Sequence, residues 1–183
     1  MYFEQHGTEN TEITLTIAKD EALKRGINTL LVATTYGDTG LKAAQMLRGS
    51  QLRLVAVTHN TGFSEPGQQQ LKPELKKEIE NLGGTVFTGT MVLRNIGTAI
   101  RGKGGYSQEQ TIADTLRMFC QGLKVRVEIA AMAADAGLIA QDDIIAVAGT
   151  GRGADTAVVI APKPSNQLFD MKVREILCKP KVF

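Results

Sequence analysis

Three short polar stretches hold the residue types that could do chemistry: Thr35–Gly40 (TYGDTG), Thr58–Gly62 (THNTG) and Gly149–Asp155 (GTGRGAD). Their glycines, threonines and aspartates let backbone amides and hydroxyls come close to a ligand and donate to it. The first stretch follows the apolar run Leu30, Leu31, Val32, Ala33 and precedes a segment in which Leu41, Ala44 and Leu47 recur at helical spacing. A strand, a polar loop and a helix start present unpaired N–H groups and the positive end of a helix dipole. A phosphate or carboxylate is the natural guest there. The same spacing also describes an ordinary turn with Asp38 or Thr39 as N-cap. The third stretch adds Arg152, a cation that could fix a phosphate or stack on a planar ring.

Other reactive residues are few. His6 and His59 are the only imidazoles. His59, at a strand exit, could be a general base or a loop histidine bonded to backbone. Glu128 lies in the apolar run VEIAAMAADAGLI, with Asp135 seven residues later on nearly the same helical face. A carboxylate there is hydrogen-bonded structure or a site acid, and structure is the commoner outcome.

GTGRGA places glycines at 149, 151 and 153, but the third comes early and a strand follows where a dinucleotide site needs a helix. No G-x-x-x-x-G-K-[ST] and no G-x-S-x-G is present. Cys120 and Cys178 have no metal-type spacing, and they read as buried thiols in a reducing cytoplasm rather than a disulfide. With no His/Cys cluster, a structural zinc site is not expected.

Composition narrows the class further. The chain has 183 residues, 43% hydrophobic and 22% charged, which suits one globular domain with a full core. A net charge of +2, with scattered Lys and Arg and no Trp, gives no footprint for nucleic acid. No apolar stretch reaches membrane-spanning length, and MYFEQHGTEN lacks the basic and apolar regions of a signal peptide, so no membrane partner is expected.

The elements that must position these loops follow from periodicity. Met1–Phe3 suggests a short edge strand. Asn10 and Thr11 sit where a helix N-cap belongs, with Ile13, Leu15, Ile17, Ala18 and Leu23 forming an apolar face that Gly26 ends. Leu52–Thr58 is a second all-apolar strand, as in a parallel sheet buried on both faces. Pro73 opens a helix lined by Leu75, Ile79 and Leu82, and Thr85–Gly89 is a third strand.

Met91–Ser107, with four glycines among Arg94, Arg101 and Lys103, reads as a long loop, either a lid or a solvated surface segment. Ile112, Leu116 and Phe119 share a helical face, and Gly122 interrupts before a second helix over Val125–Ala136. Ile144–Ala148 and Thr156–Ala161 are strands too close for a crossover helix, hence a hairpin-like pair. LFDMKVREIL closes the chain as a strand or short helix. The expected architecture is a single three-layer αβα domain, with a mostly parallel sheet and a terminal antiparallel strand pair. In such a sheet ligands lie outside the carboxyl ends of the strands, where all three polar loops fall.

The order of strand, TTYGDTG, helix, strand ending VTH and late AGTGRGADTAVV resembles the stand-alone archaeal-type relatives of the pyruvate kinase C-terminal domain, from Asn10 through Ile160. In pyruvate kinases the comparable loop holds a phosphate of a sugar-bisphosphate effector. In the stand-alone proteins the cleft looks like a flavin mononucleotide (FMN) site. The resemblance implies a phosphate on Thr35, Gly37, Asp38, Thr39 and Gly40, with the ring toward Thr58, His59, Gly62, Gly151, Arg152, Gly153, Ala154 and Asp155. Asn10, Thr11 and Tyr36 complete the implied cofactor-binding set. Nothing here matches the catalytic barrel or the metal-binding carboxylates of whole pyruvate kinase, so kinase activity is not expected.

Two functions follow as expectations. One is an FMN-binding protein, an oxidoreductase of unspecified substrate in which Asp155 or Arg152 tunes the ring. The other is a non-catalytic sensing module for a phosphorylated metabolite. A third reading makes His59 and Glu128 an acid–base pair. The apolar first helix and the tail could provide a homo-oligomer interface.

Overall fold

Each all-apolar run becomes a strand of one seven-stranded sheet. The computed structural model describes residues 1–183. In chain order the strands are β1 (Tyr2–Gln5), β2 (Thr29–Ala33), β3 (Arg53–Val57), β4 (Thr85–Phe87), β5 (Ile144–Ala148), β6 (Thr156–Ala161) and β7 (Lys172–Val182). The helices are α1 (Thr11–Arg25), α2 (Asp38–Leu47), α3 (Pro73–Asn81), α4 (Asn95–Gly102), α5 (Gln108–Arg117) and α6 (Gln121–Asp135). Short 3-10 turns cover Thr8–Asn10 and Ser165–Asp170.

Across the sheet the order is β1-β7-β6-β5-β2-β3-β4. All neighbouring pairs are parallel except those of β6, which runs antiparallel to both β5 and β7. β2 pairs with β3 on one side and β5 on the other, so the chain reverses its direction of travel across the sheet at β2.

Period-two alternation divides the core between the two faces. Leu30, Val32, Ile145 and Val147 pack with Leu15 and Ala18 of α1, Ala43 and Ala44 of α2, and Ile79 of α3. Leu31, Val55, Ala146 and Val158 pack on the other face with Ala113 of α5 and Val127, Ala130 and Met132 of α6. Each fully buried Leu, Ile or Val contributes about 1.5–3 kcal/mol. This double burial is why the runs Leu30–Ala33, Leu54–Val57 and Ile144–Ala148 carry no polar residue. Ile13 and Leu23 of α1 turn outward instead, 48% and 51% exposed.

Four local expectations change. The 91–107 segment is not a long loop: α4 forms within it, and Gln110 Nε2 ties it to α5 by donating to Thr98 Oγ1 at 2.9 Å and to Arg94 O at 3.2 Å. Gly97 there serves packing rather than flexibility, since a Cβ would lie 2.4 Å from Ser107 Oγ. Gly122 does not break a helix; it is the second residue of α6, and a Cβ on it would meet Thr156 Oγ1 at 2.6 Å. Gly37, with φ 110°, is the N-cap of α2 in place of Asp38 or Thr39. Phe119 does not share the buried face of α5 and is 52% exposed. The tail resolves into the 3-10 turn followed by β7, a strand.

Candidate functional site

Helix N-termini at the carboxyl edge of a parallel sheet turn their free amides toward whatever lies over that edge. Three such termini meet over β2 and β5. The outer part of the resulting cleft has a volume of about 320 Å³. Its floor is Ala33, Thr34 and Thr35 at the end of β2, and its walls include Thr8 and Thr11 at the start of α1, Asp38, Thr39 and Lys42 on α2, and Gln121 and Val125 on α6. Gly149, Gly151, Arg152 and Gly153 close the side facing β5.

The β2–α2 loop is the strongest donor array. The backbone N–H groups of residues 35 to 39 find no acceptor within the chain, whereas the next amide, that of Gly40, donates to Thr34 Oγ1 at 3.2 Å. Gly37 makes this turn possible: its φ lies in the region that favours glycine, and a Cβ would strike the Leu75 Cβ at 2.6 Å. Five free amides in the loop and at the helix start, with Lys42 one turn in, are donors that could hold an oxyanion.

Arg152 crosses from the β5–β6 loop to this array. Its guanidinium lies 4.6 Å from the centroid of the Tyr36 ring and 3.5 Å from the Asp38 carboxylate. Both ends of that ion pair are more than half exposed, so it is weak and a ligand can displace it.

A smaller inner lobe, about 90 Å³, opens beyond His59 and Phe63, which line both lobes. The two rings stack 3.8 Å apart, and Arg94 lies 4.0 Å over Phe63. His59 Nδ1 bonds Gln70 Oε1 at 2.8 Å, while Gln70 Nε2 donates to Ser64 Oγ at 2.9 Å. With its amide so oriented, Gln70 makes Nδ1 the protonated nitrogen of a neutral ring and leaves Nε2 as an acceptor. Burial holds the His59 pKa below its usual value, against the opposing effect of the hydrogen bond that Nδ1 donates to Gln70. Lys124 and Glu128 form a buried ion pair in this lobe, and Glu128 Oε1 also accepts from the Leu93 amide at 2.9 Å. Burial lowers the Lys124 pKa more than its partner raises it.

Of the residues singled out in the sequence, Thr11, Thr35, Tyr36, Asp38, Thr39, His59, Gly151, Arg152 and Gly153 line the outer lobe, and Thr58 lines the inner one. Thr58 Oγ1 donates to the His59 carbonyl at 2.9 Å and pairs with Thr88 Oγ1 at 2.7 Å. Gly37 and Gly40 shape the loop without lining the cleft.

Asn10, Ala154, Asp155 and Gly62 line neither lobe. Asn10 Nδ2 donates to Gln5 O at 2.9 Å, and the Ala154 amide donates to Thr11 Oγ1 at 3.0 Å. Asp155 is buried and framework-bound: its Oδ2 accepts from the Thr150 amide at 3.0 Å and its Oδ1 from Thr156 Oγ1 at 2.6 Å. It therefore stands behind the glycine loop, where it cannot touch a ring, and Arg152 alone of that pair reaches the cleft. Gly62 closes a turn by donating to Gln68 O at 2.8 Å. Asp135, at the far end of α6, accepts from the Ser165 amide instead of joining Glu128.

Sequence reading missed Thr8, Lys42, Phe63, Gln121, Lys124 and Arg94. Lys124, four residues before Glu128, was the visible signal among them, since that spacing puts both on one helix face.

No helix is long and apolar enough to cross a membrane, and no group of three or more His, Cys, Asp or Glu side chains is placed to hold a metal ion. No family model matches the chain. Among solved structures, it is similar to a pyruvate kinase from Cryptosporidium parvum, with a TM-score of 0.44 and 17% identity over 83% of this chain and 23% of that one. A Cryptosporidium parvum pyruvate kinase in complex with ADP gives a TM-score of 0.42 and 17% identity, covering 81% of this chain and 22% of that one. The chain thus matches less than a quarter of the length of each of these enzymes. The similarity is to a part of the pyruvate kinase chain.

Proposed function

We propose that this chain is a stand-alone relative of the pyruvate kinase C-terminal domain that binds FMN, with the phosphate on the β2–α2 loop. The observation that carries the reading is the run of free amides at residues 35 to 39, flanked by the Thr35 and Thr39 hydroxyls and by Lys42. That donor set fits a phosphate dianion. The cleft volume lies within the range usual for cofactor sites, roughly 300–1,000 Å³. Tyr36 and the His59–Phe63 stack offer flat surfaces for a ring, and the neutral His59 presents Nε2 as an acceptor.

When bound, a flavin supplies electron transfer at its ring. The residues of this chain would anchor the phosphate, exclude water along Val125 and Phe63, and set charge near the ring through Arg152.

The test is an absorbance scan of the purified protein followed by FMN titration. Saturable binding that Thr39→Glu weakens at least about a hundredfold supports the reading, because that carboxylate would face the phosphate at close range. Absence of binding below millimolar FMN overturns it.

One observation favours a second reading, a non-catalytic sensor of a phosphorylated metabolite. Only four residues lining the outer lobe, Ala33, Tyr36, Phe63 and Val125, are hydrophobic, and the aromatic faces are partly covered by Arg152 and Arg94. A sugar phosphate needs less flat apolar wall than a flavin. Sugar phosphates that bind where FMN does not would select this reading.

A further inference from the structure

The inner lobe carries a charge pattern that the phosphate array does not use. Lys124, Arg94 and Arg117 line it against a single carboxylate, Glu128. Arg117 is already engaged, donating to Asp114 Oδ1 at 2.7 Å and to Gln121 Oε1 at 2.8 Å. That leaves two cations for one anion. The Lys124 side chain is 2% exposed and gives one of its three ammonium protons to Glu128 Oε2. The other two have no acceptor in the chain. Arg94 rests on the Phe63 ring, and no side chain or carbonyl accepts from its guanidinium.

A buried ammonium with unused donors is costly unless something completes its shell. The lobe has room to do so. A volume of 90 Å³ corresponds to a few waters, the size of a carboxylate and a short carbon stub, and too small for a sugar phosphate or a ring. Val57, Met91, Ile129 and Met132 form apolar wall beside the cations, as suits an organic stub more than a fully hydrated inorganic ion.

We propose that the inner lobe binds the carboxylate of a small organic acid, with Lys124 Nζ and Arg94 as its donors. A planar carboxylate accepts from the Arg94 fork and the ammonium together. His59 and Phe63, shared by both lobes, would then lie between the acid and whatever occupies the outer cleft. The carboxylate site stands on the inner lobe alone; only its placement beside a flavin rests on the function proposed above.

The experiment titrates the uniformly ¹⁵N-labelled full chain with sodium acetate, and separately with sodium sulfate, at constant ionic strength. Amide shifts are followed in the wild type and in Arg94→Gln. The expected result is a saturable acetate shift at Leu93, Thr58 and Val125, weakened at least about tenfold by Arg94→Gln, as for loss of a charge-assisted bond. Arg94→Lys should restore part of the affinity. Absence of saturation at those amides, equal acetate affinity in Arg94→Gln, or sulfate binding as tightly as acetate would each overturn the proposal. FMN titration of the same samples separates the two readings: acetate binding without FMN binding keeps this site and removes only the flavin.

Discussion

Thr11 Oγ1 accepts a hydrogen bond from the amide of Ala154 at 3.0 Å, joining the start of α1 to a loop 143 residues away. The contact seats the glycine loop from which Arg152 reaches Tyr36. Gly153 fits beneath it only because it lacks a Cβ, which would lie 2.5 Å from Thr11 Oγ1 and 2.8 Å from Thr8 Cα.

This clamp predicts a ranking. Thr11→Val leaves a buried amide unpaired and should cost about 1–3 kcal/mol. Gly153→Ala meets both the clash and a φ of +71°, whereas Gly151→Ala meets only a comparable φ of +77° in open space. Urea melts should therefore place Gly153→Ala below Gly151→Ala in stability. The reverse order would show that the loop is not held by α1.

The Lys124–Glu128 pair predicts an asymmetry between single and double variants. Lys124→Met alone strands a buried carboxylate and should cost about 3–5 kcal/mol. Adding Glu128→Gln removes that charge while keeping an acceptor for the Leu93 amide, so most of the loss should return. A double variant no more stable than Lys124→Met, by urea midpoint, would contradict this account.

His59 predicts a stability slope with a definite sign. Burial lowers its folded pKa below the unfolded value, so the unfolded chain binds the proton more readily. The His59 contribution is complete above roughly pH 6.5, the ordinary value. It falls as pH drops through that region and levels off below the folded pKa. Unfolding curves of wild type and His59→Gln between pH 8 and pH 5 isolate the effect, and a difference that stays constant over that range would refute it.

The cysteines predict slow chemistry. Cys120 and Cys178 are fully buried, and burial raises the Cys178 thiol above its usual range despite its bond to Thr14 Oγ1. A thiolate-selective reagent at neutral pH should label neither thiol in the folded protein and both in urea. Fast labelling of either in the native state would show that its cover opens readily.

The sheet was legible because burial on both faces leaves runs such as LLVA, LVAV and IIAVA with no polar residue. The loops at their carboxyl ends were legible for the opposite reason, as Gly and Thr clusters at strand exits. What could not be read was how separate elements meet. Thr8, Lys42 and Gln121 reach one cleft only because the topology gathers three helix starts over β2 and β5. Asp155 and Asn10 have the chemistry of ligand-binding residues, yet the fold uses them to brace loops and turns. The helix within 91–107 escaped notice because its glycines look like flexibility, although Gly97 is small to admit Ser107.

The sheet also imposes an order of assembly. The only partner of β1 is β7, with Tyr2 in register with Lys179. Residues 2–5 thus have no ladder until the last strand is laid down beside β6. Closing a contact of such sequence separation is entropically slow. During synthesis the first strand waits for the last, and a chain stopped before β7 leaves both β1 and the edge of β6 unpaired, open to pairing with other chains.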